Sequence, residues 1–173
     1  MVDPDRSEVT FEVRHLGLTH VRGRFTRFRG TVRVGDGRLS GRGTVEVASV
    51  VTGDERRDHY LRSAAEFFDP EGHPKMRFTS GPGAPGAGEG RVRLEGELEI
   101  RGERRPLSLA VDVKRPRAGE GDAERELLLH ARGELRRGDY GLRFPTAGGY
   151  GDSIVGDTVK LELRLTAVRR RDD

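Results

Sequence analysis

The chain has no cysteine, tryptophan, asparagine or glutamine, and lysine occurs only at Lys75, Lys114 and Lys160 among 32 basic residues. Absence of cysteine excludes disulfides and thiolate metal sites and leaves the redox compartment open. Loss of Asn, Gln and Cys beside abundant charge is the composition of heat-adapted, thermostable proteins, although a GC-rich genome favours Arg, Gly and Ala in the same way. No stretch approaches the roughly 20 apolar residues of a membrane span, and the first twenty-five residues carry charges throughout, so no signal peptide is expected in the chain as given. The chain as given is therefore expected to be cytoplasmic, or periplasmic or secreted if its N-terminus has been trimmed. A single-signed charge is also missing: the net charge is only +3 despite a pI near 9.7. Arginines alternate with glutamates instead of forming one basic face, which argues against a nucleic-acid partner. Arg169-Arg170-Arg171 reads as a solvated tail.

What the chain has is alternation with period two, the mark of strands with one buried face. No linker divides the 173 residues, so one domain over 1–173 is expected. Val9, Phe11 and Val13 open the pattern. Val21, Gly23 and Phe25 continue it, then Phe28, Gly30, Val32 and Val34; the odd step between Phe25 and Phe28 predicts a β-bulge near Thr26-Arg27. Leu39 to Val47, Met76 with Phe78, Val92 to Ile100, Leu107 to Val113, Leu127 to Leu135 and Val159 to Ala167 complete eight strands. The expected fold is all-β: eight antiparallel strands closing into a barrel that removes both sheet edges. A two-sheet sandwich is the alternative. Loops 81–90 and 118–124 are expected to be exposed.

One stretch breaks the alternation. Thr52 to Asp69 predicts an amphipathic helix between strands 3 and 4, opened by a Thr52–Glu55 capping box and stopped by Asp69-Pro70 and Gly72-His73-Pro74. Leu61, Ala64, Ala65 and Phe68 recur at helical spacing, with Tyr60 and Phe67 widening the stripe.

Chemical motifs are sparse. Gly81 to Gly86 fits G-x-G-x-x-G, but it leads into a strand instead of a helix N-terminus and two prolines remove donors, so it predicts no nucleotide site. His15, His20, His59, His73 and His130 lack metal-ligand spacing, and neither a metal nor a cofactor is expected. Gly151-Asp152-Ser153 reads as a turn, with no nucleophile elbow. The informative feature is apolar: Gly23, Gly30, Gly41, Gly43, Gly96, Ala131 and Gly133 share the inward register with Leu, Val and Phe. Small interior residues favour a channel walled by hydrocarbon, and a leucine at Gly96 tests it: a carrier should lose capacity while staying folded, whereas a filled barrel should be destabilised by overpacking. Glycines that merely permit bends around a filled core are the competing account.

These residues, in order, resemble the YceI-like family of lipocalin-like, polyisoprenoid-binding β-barrels over nearly the whole chain. The matching pieces are Asp3-Pro4 with Ser7, Phe11 to Gly17, Val21 to Gly30, Ser49 to Gly53, Arg57-Asp58, Leu61-Arg62-Ser63, Phe67-Phe68-Asp69, Ile100-Arg101-Gly102, and Arg137 with Asp139 to Leu142. Arg6 departs, standing where histidine is common, and family members are typically exported. The resemblance implies a barrel that stores or carries a long isoprenoid such as a prenyl quinone or polyprenyl tail, often as a homodimer. The wall is expected to comprise Phe11, Phe25, Phe28, Phe78, Leu94, Leu98, Leu109, Leu129 and Leu163, with Leu61, Phe67 and Phe68 closing one side and Arg57 and Asp58 at the mouth. A non-catalytic role is expected; a barrel isomerase or cyclase, and a ligand-free stress-related module, are the alternatives.

Overall fold

Each period-two segment forms a strand of one antiparallel sheet in the computed structural model, which describes residues 1–15, 17–35, 38–86, 88–116, 125–144 and 155–169. The strands are β1 (Val2–His15), β2 (Thr19–Phe25), β3 (Phe28–Gly35), β4 (Arg38–Glu46), β5 (Val50–Val51), β6 (Lys75–Ser80), β7 (Ala84–Pro85), β8 (Arg91–Ile100), β9 (Glu103–Lys114), β10 (Glu126–Arg136) and β11 (Val155–Val168), with helix α1 (Glu55–Ser63) between β5 and β6. All eight expected segments are present. The count reaches eleven because the second divides at Thr26-Arg27 and two two-residue strands, β5 and β7, are added. Loop residues 118–124, the Gly151-Asp152-Ser153 turn and Arg170-Arg171 lie outside the described residues.

Thr26-Arg27 is a corner, not the expected bulge. The Thr26 amide and hydroxyl donate to the Ser49 carbonyl at 3.1 and 3.3 Å, and the Arg27 carbonyl accepts from the Glu46 amide at 3.0 Å. These bonds draw the chain out of its ladder, so β2 pairs with β1 and β5 whereas β3 pairs with β4. Hydrogen-bonded neighbours run β3-β4-β6-β8-β9-β10-β11-β1-β2-β5. The sheet curls until Val2 of β1 stands over Gly30 in β3, where an added methyl group would lie 3.2 Å from the valine side chain. Among the described residues, however, no ladder joins β3 to β1 or β2, so the two edges meet without the full closure the alternation suggested.

The β8–β9 hairpin turns on Arg101 (φ 52°) and Gly102 (φ 76°), the pair of left-handed residues that suits strand twist. Arg101 tolerates that conformation while its guanidinium donates to the carbonyls of Glu66 and Gly141 at 3.0 and 3.3 Å. The turn thereby holds down the segment that follows α1. Departing from the resemblance, Arg6 makes a structural contact: its guanidinium grips the buried Glu126 carboxylate through bonds of 2.5 and 2.8 Å, and that hydrogen bonding holds the Glu126 carboxyl below its ordinary range.

The helix is shorter than its pattern. It ends at Ser63, and Ala64 to Phe68 continue as turns that keep Ala64, Phe67 and Phe68 buried. Asp54, not Thr52, is the N-cap: its carboxylate accepts from the Arg57 amide at 2.9 Å, and that bond lowers its pKa. The Thr52 hydroxyl is committed elsewhere, donating to Asp58 at 2.5 Å. Among the described residues no helix is long and apolar enough to cross a membrane.

Candidate functional site

Inside the curl the inward side chains do not meet. They surround a cavity of about 420 Å³ whose surface is almost entirely hydrocarbon. Phe11, Phe25, Phe28, Phe78, Leu94, Leu98, Leu109, Leu129 and Leu163 line it, and Leu61, Phe67 and Phe68 reach it from the helical segment. Those positions come from strands far apart in sequence and converge because each keeps the same parity along its ladder.

The glycines divide. Gly30, Gly41 and Gly43 border the cavity directly, as does Ala131. Gly23, Gly96 and Gly133 do not, because each is a socket for a neighbour: a methyl group there would lie 2.2 Å from the Phe11 ring, 2.6 Å from the Phe78 ring and 2.7 Å from Leu109, respectively. A leucine at Gly96 therefore does not discriminate a cavity from a filled core. That position is already filled by Phe78, so the substitution overpacks the wall instead of narrowing the channel.

One end of the cavity is covered by α1 and the aromatic residues beside it. Phe67 stacks on Phe144 at 4.6 Å and meets Phe68 edge-on at 4.8 Å, while Tyr60 stacks on Phe144 at 6.2 Å. Polar groups gather at this end. Arg57 lines the cavity and donates to the Thr52 hydroxyl and carbonyl at 2.7 and 3.2 Å. Asp58 does not line it. Its carboxylate accepts from both the amide and hydroxyl of Thr52 and pairs with Arg62 at 3.8 Å, so it fastens the helix to the chain leaving β5. The expected mouth pair is therefore one cavity residue and one structural anchor.

Sequence reasoning missed Arg137 as a site residue. It is 4% exposed and lines the cavity. Its guanidinium donates to the carbonyls of Leu142, Val155 and Gly156 at 2.7, 2.8 and 3.1 Å, and lies 5.3 Å from the centre of the Phe144 ring. A charge buried among main-chain carbonyls and an aromatic face leaves no trace in hydropathy. Asp157 steadies this turn by accepting from Arg136 and the Gly138 amide at 2.8 and 2.9 Å, and the Arg136 bond lowers its pKa. Nearby Tyr140 is 2% exposed, its hydroxyl has no hydrogen-bond partner among the described residues, and burial pushes its pKa up to about 12.

Other motifs are absorbed by structure. The amides of Gly83 and Gly86 donate to Leu39 and Arg91 carbonyls at 2.6 and 2.8 Å, so the G-x-G-x-x-G run spends its donors within the sheet. His130 bonds Glu162 at 2.7 Å on the outer face. Among the described residues no group of three or more His, Asp or Glu converges as a metal site would require.

A curled antiparallel sheet around a capped hydrocarbon cavity defines a lipocalin-like fold. The YceI-like domain model matches residues 1–167, and the chain belongs to that family. A UPF0312 protein of Staphylococcus epidermidis is 28% identical over 166 residues, covering 92% of this chain and 91% of its own. The crystal structure of Burkholderia cenocepacia BcnA is similar at a TM-score of 0.82 and 24% identity, covering 97% of this chain and all of its own. A polyisoprenoid binding domain from Saccharophagus degradans, implicated in plant cell wall breakdown, is similar at a TM-score of 0.75 and 16% identity, covering 98% of this chain and 97% of its own. At such identities these structures speak for the fold alone.

Proposed function

We infer that the protein is a non-catalytic binder of a long isoprenoid chain, of prenyl-quinone or polyprenyl type, held in the barrel interior. The cavity of about 420 Å³ carries this reading, since it is hydrocarbon-walled and falls within the roughly 300–1,000 Å³ of small-molecule sites. Burying hydrocarbon contributes about 0.8 kcal/mol per methylene, so a few prenyl units offset the cost of ordering a flexible chain. The polyisoprenoid-binding description of the Saccharophagus neighbour supports the same ligand class. A polar head group would meet the end where Arg57, Arg137 and Thr52 gather. Binding is favoured over catalysis because Arg57 and Arg137 are already engaged by carbonyls and a hydroxyl, while Arg29, Arg42 and Arg77 occupy exposed, outward-facing positions.

Mass spectrometry of an organic extract of the purified protein tests this, together with titration of a prenyl quinone. A co-purifying isoprenoid, or saturable binding of the added quinone, is expected. Repeated absence of any lipid with no binding of the quinone would overturn the reading.

A further inference from the structure

Ladder hydrogen bonds surround the cavity except along one line. β3 bonds to β4 on one side and, among the described residues, to no strand on the other, so β3 and β1 face each other across a seam that no ladder crosses. Its two lips are unequal. The β1 lip is pinned: Met1 and Val168 exchange two backbone bonds of 2.6 and 2.8 Å, and Thr166 donates its amide to the Ser7 hydroxyl and its own hydroxyl to the Arg6 carbonyl, both at 3.0 Å. Arg6 is in turn clamped on Glu126.

Past the corner that fixes its Phe28 end, the β3 lip is laddered to β4 alone, and β4 ladders with β6 only from Arg42 to Glu46. Beyond that point β4 keeps three hydrogen bonds: the Gly41 amide donates to the Ser80 hydroxyl at 2.9 Å, that hydroxyl donates to the Gly41 carbonyl at 3.3 Å, and the Gly83 amide donates to the Leu39 carbonyl at 2.6 Å. Side-chain packing on this lip rests on Leu39, Val32 and Val45, and it is interrupted where Gly30 and Gly43 stand directly opposite each other in the β3–β4 ladder. Val2 on one lip and Phe28, Gly30 and Val32 on the other all border the cavity.

We propose that the seam is a lateral gate: β3 and the outer half of β4 swing away from β1 to admit and release a hydrophobic chain sideways. This rests on the binding reading above. End-on entry beside α1 would draw the whole ligand lengthwise past Leu61, Phe67 and Phe68, whereas opening the seam breaks no β1–β3 hydrogen bond and exposes the length of the cavity at once. Elements with few buried contacts and an unladdered edge open at the lowest free energy in a fold.

The test is a staple across the seam. A Cβ at Gly30 lies 3.7 Å from Val2 Cβ, within the roughly 3.5–4.5 Å that a disulfide spans. The chain contains no other cysteine to confuse the pairing. In Val2→Cys/Gly30→Cys, the new Cβ also meets the Arg42 carbonyl at 3.2 Å, a contact the backbone must relax slightly. All-trans-retinol, a fluorescent isoprenoid alcohol, is the probe. Its uptake and its release to empty vesicles are followed in the oxidised and reduced forms of the same protein. Oxidation is expected to slow both by at least ~10-fold, with affinity little changed and full recovery on reduction. Equal rates in the two forms overturn the gate while leaving binding intact; failure of the reduced and unsubstituted proteins to bind retinol overturns both. Hydrogen exchange on the unsubstituted chain gives a reading free of any folding defect. The Gly41 and Gly83 amides, whose bonds to Ser80 and Leu39 must break when the end of β4 swings out, are expected to exchange faster than those between β9 and β10, and equal protection argues against the gate.

Discussion

The two walls of the cavity use the same residue in opposite ways. In the fully laddered wall, Gly96 and Gly133 are hollows that Phe78 and Leu109 fill, and Gly23 receives the Phe11 ring. In the β3–β4 wall, a methyl group at Gly41 or Gly43 would meet only backbone oxygens, at 3.7 and 3.4 Å. A small residue thus makes room for a neighbour on one side and for open cavity on the other. What decides is the side chain on the adjoining strand. Leu109 and Phe78 stand beside the filled sites, while Gly30 stands opposite Gly43.

The largest effect expected from this difference is at Gly96. Gly96→Leu drives a side chain into the Phe78 ring and the Thr79 carbonyl, each 2.6 Å from the new Cβ. A loss of about 3 kcal/mol is expected in urea denaturation. An unchanged midpoint would mean that Phe78 rotates away freely and that the two walls are alike. Two truncations follow, the first of comparable size. Leu129, 4% exposed, belongs to the laddered wall, and Leu129→Ala should cost about 3 kcal/mol. Phe28 beside the seam is only half-buried, so Phe28→Ala should cost about half as much despite removing the larger side chain. Equal costs would place the seam inside the rigid core.

The laddered side also carries a titratable weakness. Burial raises Tyr140 from its ordinary 10.0 to about 12, so the folded state disfavours the phenolate. Its contribution to stability is complete below pH 10 and is lost as pH rises from there through about 12. Tyr140→Phe should flatten this alkaline decline. It should change neutral stability little, since a hydroxyl without a partner contributes no hydrogen bond. Thermal unfolding from pH 8 to 12 checks both, and an identical alkaline slope in the two proteins would rule Tyr140 out as its source.

Much of this architecture was legible in the residues. Strict alternation in Val92 to Ile100 and Leu127 to Leu135 places every inward side chain, since a period of two leaves no freedom once one face is buried. The helix was legible from Leu61 and Tyr60, but its length was not. Ala64 to Phe68 keep their apolar spacing while folding as turns, because Arg101 and Phe144 hold them from outside the segment. The corner at Thr26-Arg27 depends on Ser49 and Glu46 and the burial of Arg137 on the Val155 and Gly156 carbonyls, partners distant in sequence that no local pattern encodes. Among the inward glycines, a lone sequence shows only that the position is small; whether Phe11 or empty space lies above it is a tertiary fact.

The smallest effect on stability, and the sharpest separation of the walls, is expected at Gly41. Valine favours strands, and its Cβ there would lie at an ordinary 3.7 Å from the Thr31 carbonyl. Gly41→Val should therefore shift unfolding by no more than about 0.5 kcal/mol. Its methyl groups project into cavity space that a ligand would occupy. Displacing about two methylenes of an isoprenoid at ~0.8 kcal/mol each removes roughly 1.6 kcal/mol, on the order of a tenfold weaker Kd. Retinol titration of this variant beside the unsubstituted protein measures that loss. A stable Gly41→Val protein with unchanged affinity would show that the β3–β4 wall lies clear of the ligand, whereas tenfold weakening at constant stability would make Gly41 a gauge of what the cavity admits.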